Sequence, residues 1–320
     1  MLALKLDVED LASLRFAHSP MQETVLSLWV WQNPVRYAIH QPLVRSSGHL
    51  LEAFDWPLLQ ALIGPGGFLA DFLTPRPSSP RPEFAEELAA VRATAPELVV
   101  AGLVQAANGQ PLHPRLQRVR TDPTGLTEEI CAALAAYWEL VLEPHWPRLS
   151  AILARDILYR AGSLAAGGAA GAFRDIDPGL RWTEGRLLVD EPNVEAAVEV
   201  NGNGLIFIPS LFCCRAVTTI DISSPPRLIY PARGRGTAWS GEIAESRKAL
   251  ADLVGPTRAQ VLAALSEPVS TTELASRLGL SPGTASRHLG VLHRVGLAEK
   301  SRVGHAVLYR RTGLGDRLGR

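Results

Sequence analysis

Apolar and polar residues alternate with a period that changes along the 320-residue chain. Up to about residue 170, apolar positions recur every three or four residues, the spacing of helices that each bury one stripe. Ser19-Pro20-Met21-Gln22 marks one helix start, with Ser19 as N-cap, Pro20 at the first helical position and Gln22 three residues on. That helix is predicted through about Gln32 and stops before Pro34. Pro57, Gly64-Pro65-Gly66-Gly67 and Pro75-Arg76-Pro77-Ser78-Ser79-Pro80 divide the next stretch into short helices and ordered turns, the last a surface loop. Further helices are predicted at about Pro82 to Thr94, Pro96 to Gln105, Thr127 to Leu142 and Pro147 to Ala170, packed antiparallel. From Leu180 the period shortens to two. Leu180-Arg181-Trp182 and Arg186-Leu187-Leu188-Val189 flank Thr183-Glu184-Gly185 as a hairpin, and strands are expected at Gly204 to Ile208, Arg215 to Ile222 and Pro226 to Tyr230. Residues 1–238 thus read as an α+β domain of mixed helices and strands, with Pro231 to Gly241 connecting it to a second domain, 239–320.

In the second domain the helical period returns. Helices are predicted from about Ser240 to Leu253 and from Pro256, with Arg258, Val261, Leu262 and Leu265, until Pro268 stops the second. Thr271 or Thr272 caps a short third helix whose Leu274, Ala275 and Leu278 face inward; Gly279 makes a turn, and Ser281-Pro282 opens a fourth. At about 100° per residue, Ala285, Leu289, Leu292 and Gly296 fall near one line, the buried stripe. The opposite line holds Gly283, Arg287, Gly290 and Arg294, flanked by Thr284, Ser286 and Val291. Arginines one or two turns apart reach guanine edges or phosphates, small hydroxyls bond either, and a glycine lets the helix approach closely. His288, at the edge of the buried stripe, is expected to be a boundary residue rather than a metal ligand. Leu297 to Arg302 and Ala306 to Arg310 then alternate as two strands around Val303-Gly304-His305. The whole is punctuated as a winged helix-turn-helix. Its expected DNA contacts are Thr271, Thr272, Ser281, Gly283, Thr284, Ser286, Arg287, His288, Gly290 and Arg294, with Lys300, Arg302, His305, Arg310 and Arg311 of the wing reaching flanking phosphates or the minor groove.

Charge sharpens this division. The net charge is zero, yet from Gly241 onward twelve Lys and Arg face seven Asp and Glu, so the C-terminal part is near +5 and the remainder near −5. A basic module beside an acidic domain suits binding of a polyanion by the smaller part. The opening Met1 to Asp10 acquires acids within ten residues and has no signal-peptide core, and no apolar run approaches membrane-spanning length, so a cytoplasmic protein without membrane attachment is expected. Cys131, Cys213 and Cys214 form no disulfide framework, and reduced thiols are expected.

These residues resemble the winged-helix regulators of the ArsR type. Leu253-Val254-Gly255-Pro256-Thr257-Arg258 is similar to that family's Leu-x-x-Pro-x-Arg opening, Glu273-Leu274-Ala275 to Leu280-Ser281 to its helix-turn-helix, and Gly304 to Tyr309 to its wing. The resemblance covers about residues 245–312. It implies a homodimer, a palindromic operator and repression relieved by a signal. Founding members hold thiophilic metals through Cys-x-Cys on the helix before the turn; here that helix reads Glu273-Leu274-Ala275-Ser276-Arg277, with no thiol in the module, so no metal is expected. Arg15 to Pro20, Asp71 to Pro75, Tyr137-Trp138-Glu139 through His145 to Leu149, and Tyr230 to Gly234 resemble the long N-terminal region of a subgroup from high-GC bacteria, which implies architecture but no ligand.

The N-terminal part carries no readable catalytic or cofactor motif: no Gly-x-Ser-x-Gly, His-Glu-x-x-His, phosphate loop or dinucleotide fingerprint. Gly167-Gly168 followed by Gly171 lacks the lysine of a phosphate loop and reads as a helix end. His18, His40, His49, His113 and His145 are scattered. Cys213-Cys214, read as strand neighbours, would point to opposite faces and not chelate together. Among the tryptophans, Trp138, Trp146 and Trp182 are candidates to line a pocket for a small organic effector. The expectation is a dimeric DNA-binding regulator on a palindrome, with the N-terminal domain supplying dimer contacts, effector binding or both. A ligand-independent repressor and an N-terminal enzyme fused to a DNA-binding tail are the alternatives.

Overall fold

The computed structural model describes the chain except residues 191–195, 203, 219–225, 240–247, 266–267, 304–305 and 319–320. The chain divides into two compact units, Met1–Ala238 and Trp239–Arg320.

The N-terminal unit opens with a strand that the sequence pattern did not announce. In β1 (Leu2–Lys5) only Leu2 and Leu4 point inward, an alternation too short to register. After α1 (Val8–Ala12) and β2 (Arg15–Phe16) comes α2 (Pro20–Gln32) with the expected bounds; Ser19 caps it by accepting the Gln22 amide. Ten of its thirteen residues are buried, polar ones included, so α2 runs through the interior rather than over the surface. Around it lie α3 (Gln41–Ser47), α4 (Trp56–Ala61), α5 (Phe84–Arg92), α6 (Pro96–Ala106) and α7 (Pro123–Tyr137). Tyr137 locks α7 to α2, its hydroxyl 2.8 Å from Ser27 Oγ and accepting the Trp31 indole N–H at 2.9 Å. Trp138–Leu142 continues α7 as a π turn, and α8 (Trp146–Phe173) follows. Gly168, at φ 59° and ψ −156°, breaks the helical path of α8 before one more turn, so the glycines interrupt this helix as well as end it.

The strands form two sheets. β3 (Leu180–Thr183) and β4 (Arg186–Val189) make the expected hairpin, with Glu184 and Gly185 both at positive φ as a mirror-image two-residue turn requires. With β1 and β5 (Ala196–Glu199) they give the order β3-β4-β1-β5. The second sheet, in the order β2-β6-β8-β7, contains β6 (Ile206–Ser210), β7 (Val217–Thr218) and β8 (Arg227–Pro231); β2, β6 and β8 run parallel and β7 antiparallel. Of the strand expected at Arg215 to Ile222, Val217–Thr218 is observed, and 219–222 lie outside the described residues. Leu2, Leu4, Leu187 and Val189 of the first sheet share one core with Phe207, Leu228 and Tyr230 of the second and with Phe173 at the end of α8. Cys213 and Cys214 lie in the loop beyond β6, not on a strand, because Ser210 Oγ accepts the Phe212 and Cys213 amides and turns the chain away.

The C-terminal unit begins, among described residues, with helix α9 (248–254); the expected start at Ser240 lies outside them. Then come α10 (Pro256–Ala264), β9 (Val269–Ser270), α11 (Thr271–Leu278), α12 (Pro282–Arg294), β10 (Ala298–Val303), β11 (Ala306–Arg311) and α13 (Gly313–Leu318). Leu250, Val261, Leu262, Leu265, Leu274, Leu289, Leu292 and Leu297 make its core. The strands form an antiparallel sheet in the order β10-β11-β9, in which β10 and β11 are the wing.

Candidate nucleic-acid interface

Capping geometry fixes the two helices of the turn. Ser270, not Thr271 or Thr272, is the N-cap of α11, its hydroxyl accepting the Glu273 amide at 3.2 Å. The sequence carries the signal for this in Ser270-Thr271-Thr272-Glu273, a serine three residues before a glutamate. Thr271 is half-buried and Thr272 exposed in the first turn. At the other end Gly279, at φ 64°, leaves the helix; its amide bonds Ser276 O, and the Leu280 amide reaches back to Ala275 O at 2.9 Å. This double closure needs a residue at positive φ, which glycine supplies without steric cost. Two residues later Ser281 caps α12 by accepting the Thr284 amide at 3.1 Å, with Pro282 in the first turn. The same closure ends α12: Gly296 stands at φ 73°, its amide bonds His293 O, and Leu297 bonds Leu292 O at 2.9 Å. Gly296 was expected on the buried stripe; it is exposed and lies beyond the helix, because the stripe ends at Leu292 and the chain turns there.

Ala285, Leu289 and Leu292 are buried, and the opposite face presents the expected set. Gly283, Ser286, Arg287 and Arg294 are exposed, Thr284 and Gly290 half-buried. A Cβ added at Gly283 or Gly290 would meet nothing within 4 Å, so neither glycine is required by packing within the protein. Among the described residues no acid pairs with Arg287, Arg294 or Lys300, whereas Arg277 is paired to Glu273 and Arg310 to Glu299. His288 is half-buried, and burial together with the Arg287 and Arg258 guanidiniums holds its pKa below the ordinary value. Arg258 is held by its own helix start, donating to Val254 O.

In the wing, Ala298 pairs with Arg311 and Val303 with Ala306. Lys300 and Arg302 are two residues apart on β10 and share a face, both exposed; Arg310 stands opposite Glu299 on the other face. His305 lies outside the described residues.

In the N-terminal unit the structure brings Trp138 and Trp146 together but not Trp182. Trp138 stacks on Phe84 at 4.6 Å and meets Trp146 edge-on at 5.2 Å; Trp146 in turn meets the His18 ring at 5.7 Å. Trp182 stacks on Phe173 in the core between the sheets. Beside the first cluster, two acids that the sequence reading passed over are buried at the start of α2. Glu87 of α5 accepts from the Ser19 hydroxyl and the Met21 amide, both at 2.9 Å, and burial pushes its pKa up to about 7. Glu23 accepts the Leu211 amide at 2.9 Å, and burial pushes it up to about 8. Burial raises the Cys131 thiol to about 11 and the Cys213 thiol to about 12, so neither is a thiolate near neutral pH. No group of three or more His, Cys, Asp or Glu placed to hold a metal occurs among the described residues. No helix among them is long and apolar enough to cross a membrane.

Residues 253–301, from the end of α9 through α12 into β10, match a family model described as a helix-turn-helix domain. Comparison with curated proteins and with solved structures gave no match. The C-terminal unit is therefore a helix-turn-helix domain, and its presence supports a DNA-binding regulator.

Proposed function

We propose that the chain is a dimeric, ArsR-like transcriptional repressor, in which two copies of α12 enter successive major grooves of a palindromic operator about one helical turn apart. The observation that carries this reading is the outer face of α12: two unpaired arginines, two hydroxyls and two glycines with open space at their Cβ positions. Such a face contributes little to its own fold and much to a polyanion laid against it. The N-terminal unit receives the signal, a small organic molecule, and acts through binding rather than catalysis. Binding of that molecule changes DNA affinity only insofar as the free and DNA-bound states hold it unequally.

The test starts from the full chain. Light scattering reports its oligomeric state, and selection from a random duplex pool reports its site. A dimer that selects a palindrome is expected, and Arg287→Ala should weaken binding to that site at least tenfold with an unchanged melting temperature, since a bidentate base contact is worth about 1–3 kcal/mol. A monomer, a pool that yields no site, or an Arg287→Ala variant with unchanged affinity and intact fold overturns the reading.

A further inference from the structure

A cleft of about 660 Å³ opens in the N-terminal unit between the end of α2, α4, the loop that follows it and the end of α6. That volume lies in the range of sites for small organic molecules, about 300–1,000 Å³. Its walls are stiff. Pro57, Pro65 and Pro111 restrict three of the segments that line it. The Gly64–Gly67 loop is fastened from within by Gly64 N–H to Phe68 O at 2.8 Å, and from α2 by the Trp29 indole N–H donating to Gly67 O at 3.0 Å. Gly64 lies directly on α6: a Cβ there would come within 2.0 Å of Ala106 O. The cleft is thus preformed, and a ligand entering it need not order the walls first.

The lining chemistry selects a ligand class. Leu103, Ala106 and Leu116 give an apolar floor, and among the described residues no Asp, Glu, Lys or Arg lines the cleft. Three polar side chains from separate segments reach its wall: Gln32, Gln60 and His113. Both glutamines are exposed, and among the described residues neither side-chain amide has a hydrogen-bond partner. His113 accepts the Arg115 amide at Nδ1, 3.3 Å away, so the neutral ring carries its proton on Nε2 and can donate it. An ionised ligand would lose hydration here without gaining a counter-charge. We infer that this cleft, rather than the edge-to-face Trp138–Trp146 pair, is the ligand site of the N-terminal unit, and that it takes an uncharged organic molecule with an apolar body and hydrogen-bonding groups.

This rests on reading the N-terminal unit as the sensing half of a regulator, and the test separates the two. Nile red, an uncharged dye with a carbonyl acceptor, is titrated into the full chain while its emission is followed. A saturable, blue-shifted signal with one site per chain is expected. Gln60→Trp and Gln32→Trp each project a ring into the cleft from an exposed position, and each should weaken dye binding at least tenfold with circular dichroism and melting temperature unchanged. If either variant fails to fold, the other decides. Absence of saturable binding, or a folded tryptophan variant that binds as the parent does, overturns the site. Duplex binding is measured on the same preparations. Duplex binding without dye binding overturns the cleft and leaves the regulator standing; dye binding without duplex binding supports the cleft and removes the regulator.

Discussion

Gly290 sits in the middle of α12, where glycine is the least favoured residue except proline. Since a Cβ there meets nothing within 4 Å, Gly290→Ala should raise stability by about 0.5–1 kcal/mol through the unfolded chain and helix propensity alone. Gly290→Leu should keep most of that gain yet lower operator affinity at least tenfold, because its side chain occupies the space between helix and groove. Chemical denaturation and duplex titration of both variants check this; a Gly290→Leu protein with undiminished affinity would take the residue off the contact face. Ser281 works differently, joining fold and contact. Its hydroxyl is committed to the Thr284 amide and lies 2.8 Å from the Thr284 hydroxyl, so less of its capacity remains for a phosphate than its exposure suggests.

At the scale of elements, legibility followed locality. The cap at Ser19, the Glu184-Gly185 turn and the Gly279 and Ser281 joints were readable because each is set by two or three neighbouring residues. β1, β2 and β5 were not readable: they are two to four residues long and owe their extended form to partners more than 180 residues away. The 660 Å³ cleft was equally invisible, since it is assembled from four segments whose only sequence mark is proline and glycine. The junction of α2 with α5 and β6 was also missed, because Glu23 and Glu87 look like ordinary helix acids. Their folded pKa values of about 8 and about 7 lie above the ordinary carboxylate value, so the folded state holds protons that the unfolded state releases. Stability is therefore full below the ordinary carboxylate pKa and falls as pH rises through about 7 and about 8. Denaturation at about pH 5 and about pH 9 should differ by up to about 3 kcal/mol from Glu87 alone, and Glu87→Gln should flatten that part of the curve. An unchanged slope in Glu87→Gln would mean that the carboxyl is not held protonated.

For the molecule as a whole, twelve basic against seven acidic residues from Gly241 onward, and the reverse imbalance before it, assign long-range attraction for DNA to the C-terminal unit. Each neutralised phosphate adds about 0.9 to the slope of log affinity against log salt. Lys300→Ala and Arg302→Ala should each lower that slope by about one while leaving the preferred sequence unaltered, as measured by titration over a range of salt. A shift of sequence preference would instead make the wing a reader of bases. Arg310 should count for less, because it begins in a pair with Glu299 that must open first.

The closures at Gly279 and Gly296 hold both ends of the recognition region through backbone amides and carbonyls; of the leucines that follow, Leu297 is buried in the core cluster and Leu280 packs against it. Orientation of α12 is consequently independent of the side chains that face outward from it. On the function proposed above, those positions are open to drift: descendants of this chain would acquire new operators by exchanging Gly283, Ser286, Arg287 or Arg294 while the scaffold that presents them stays intact.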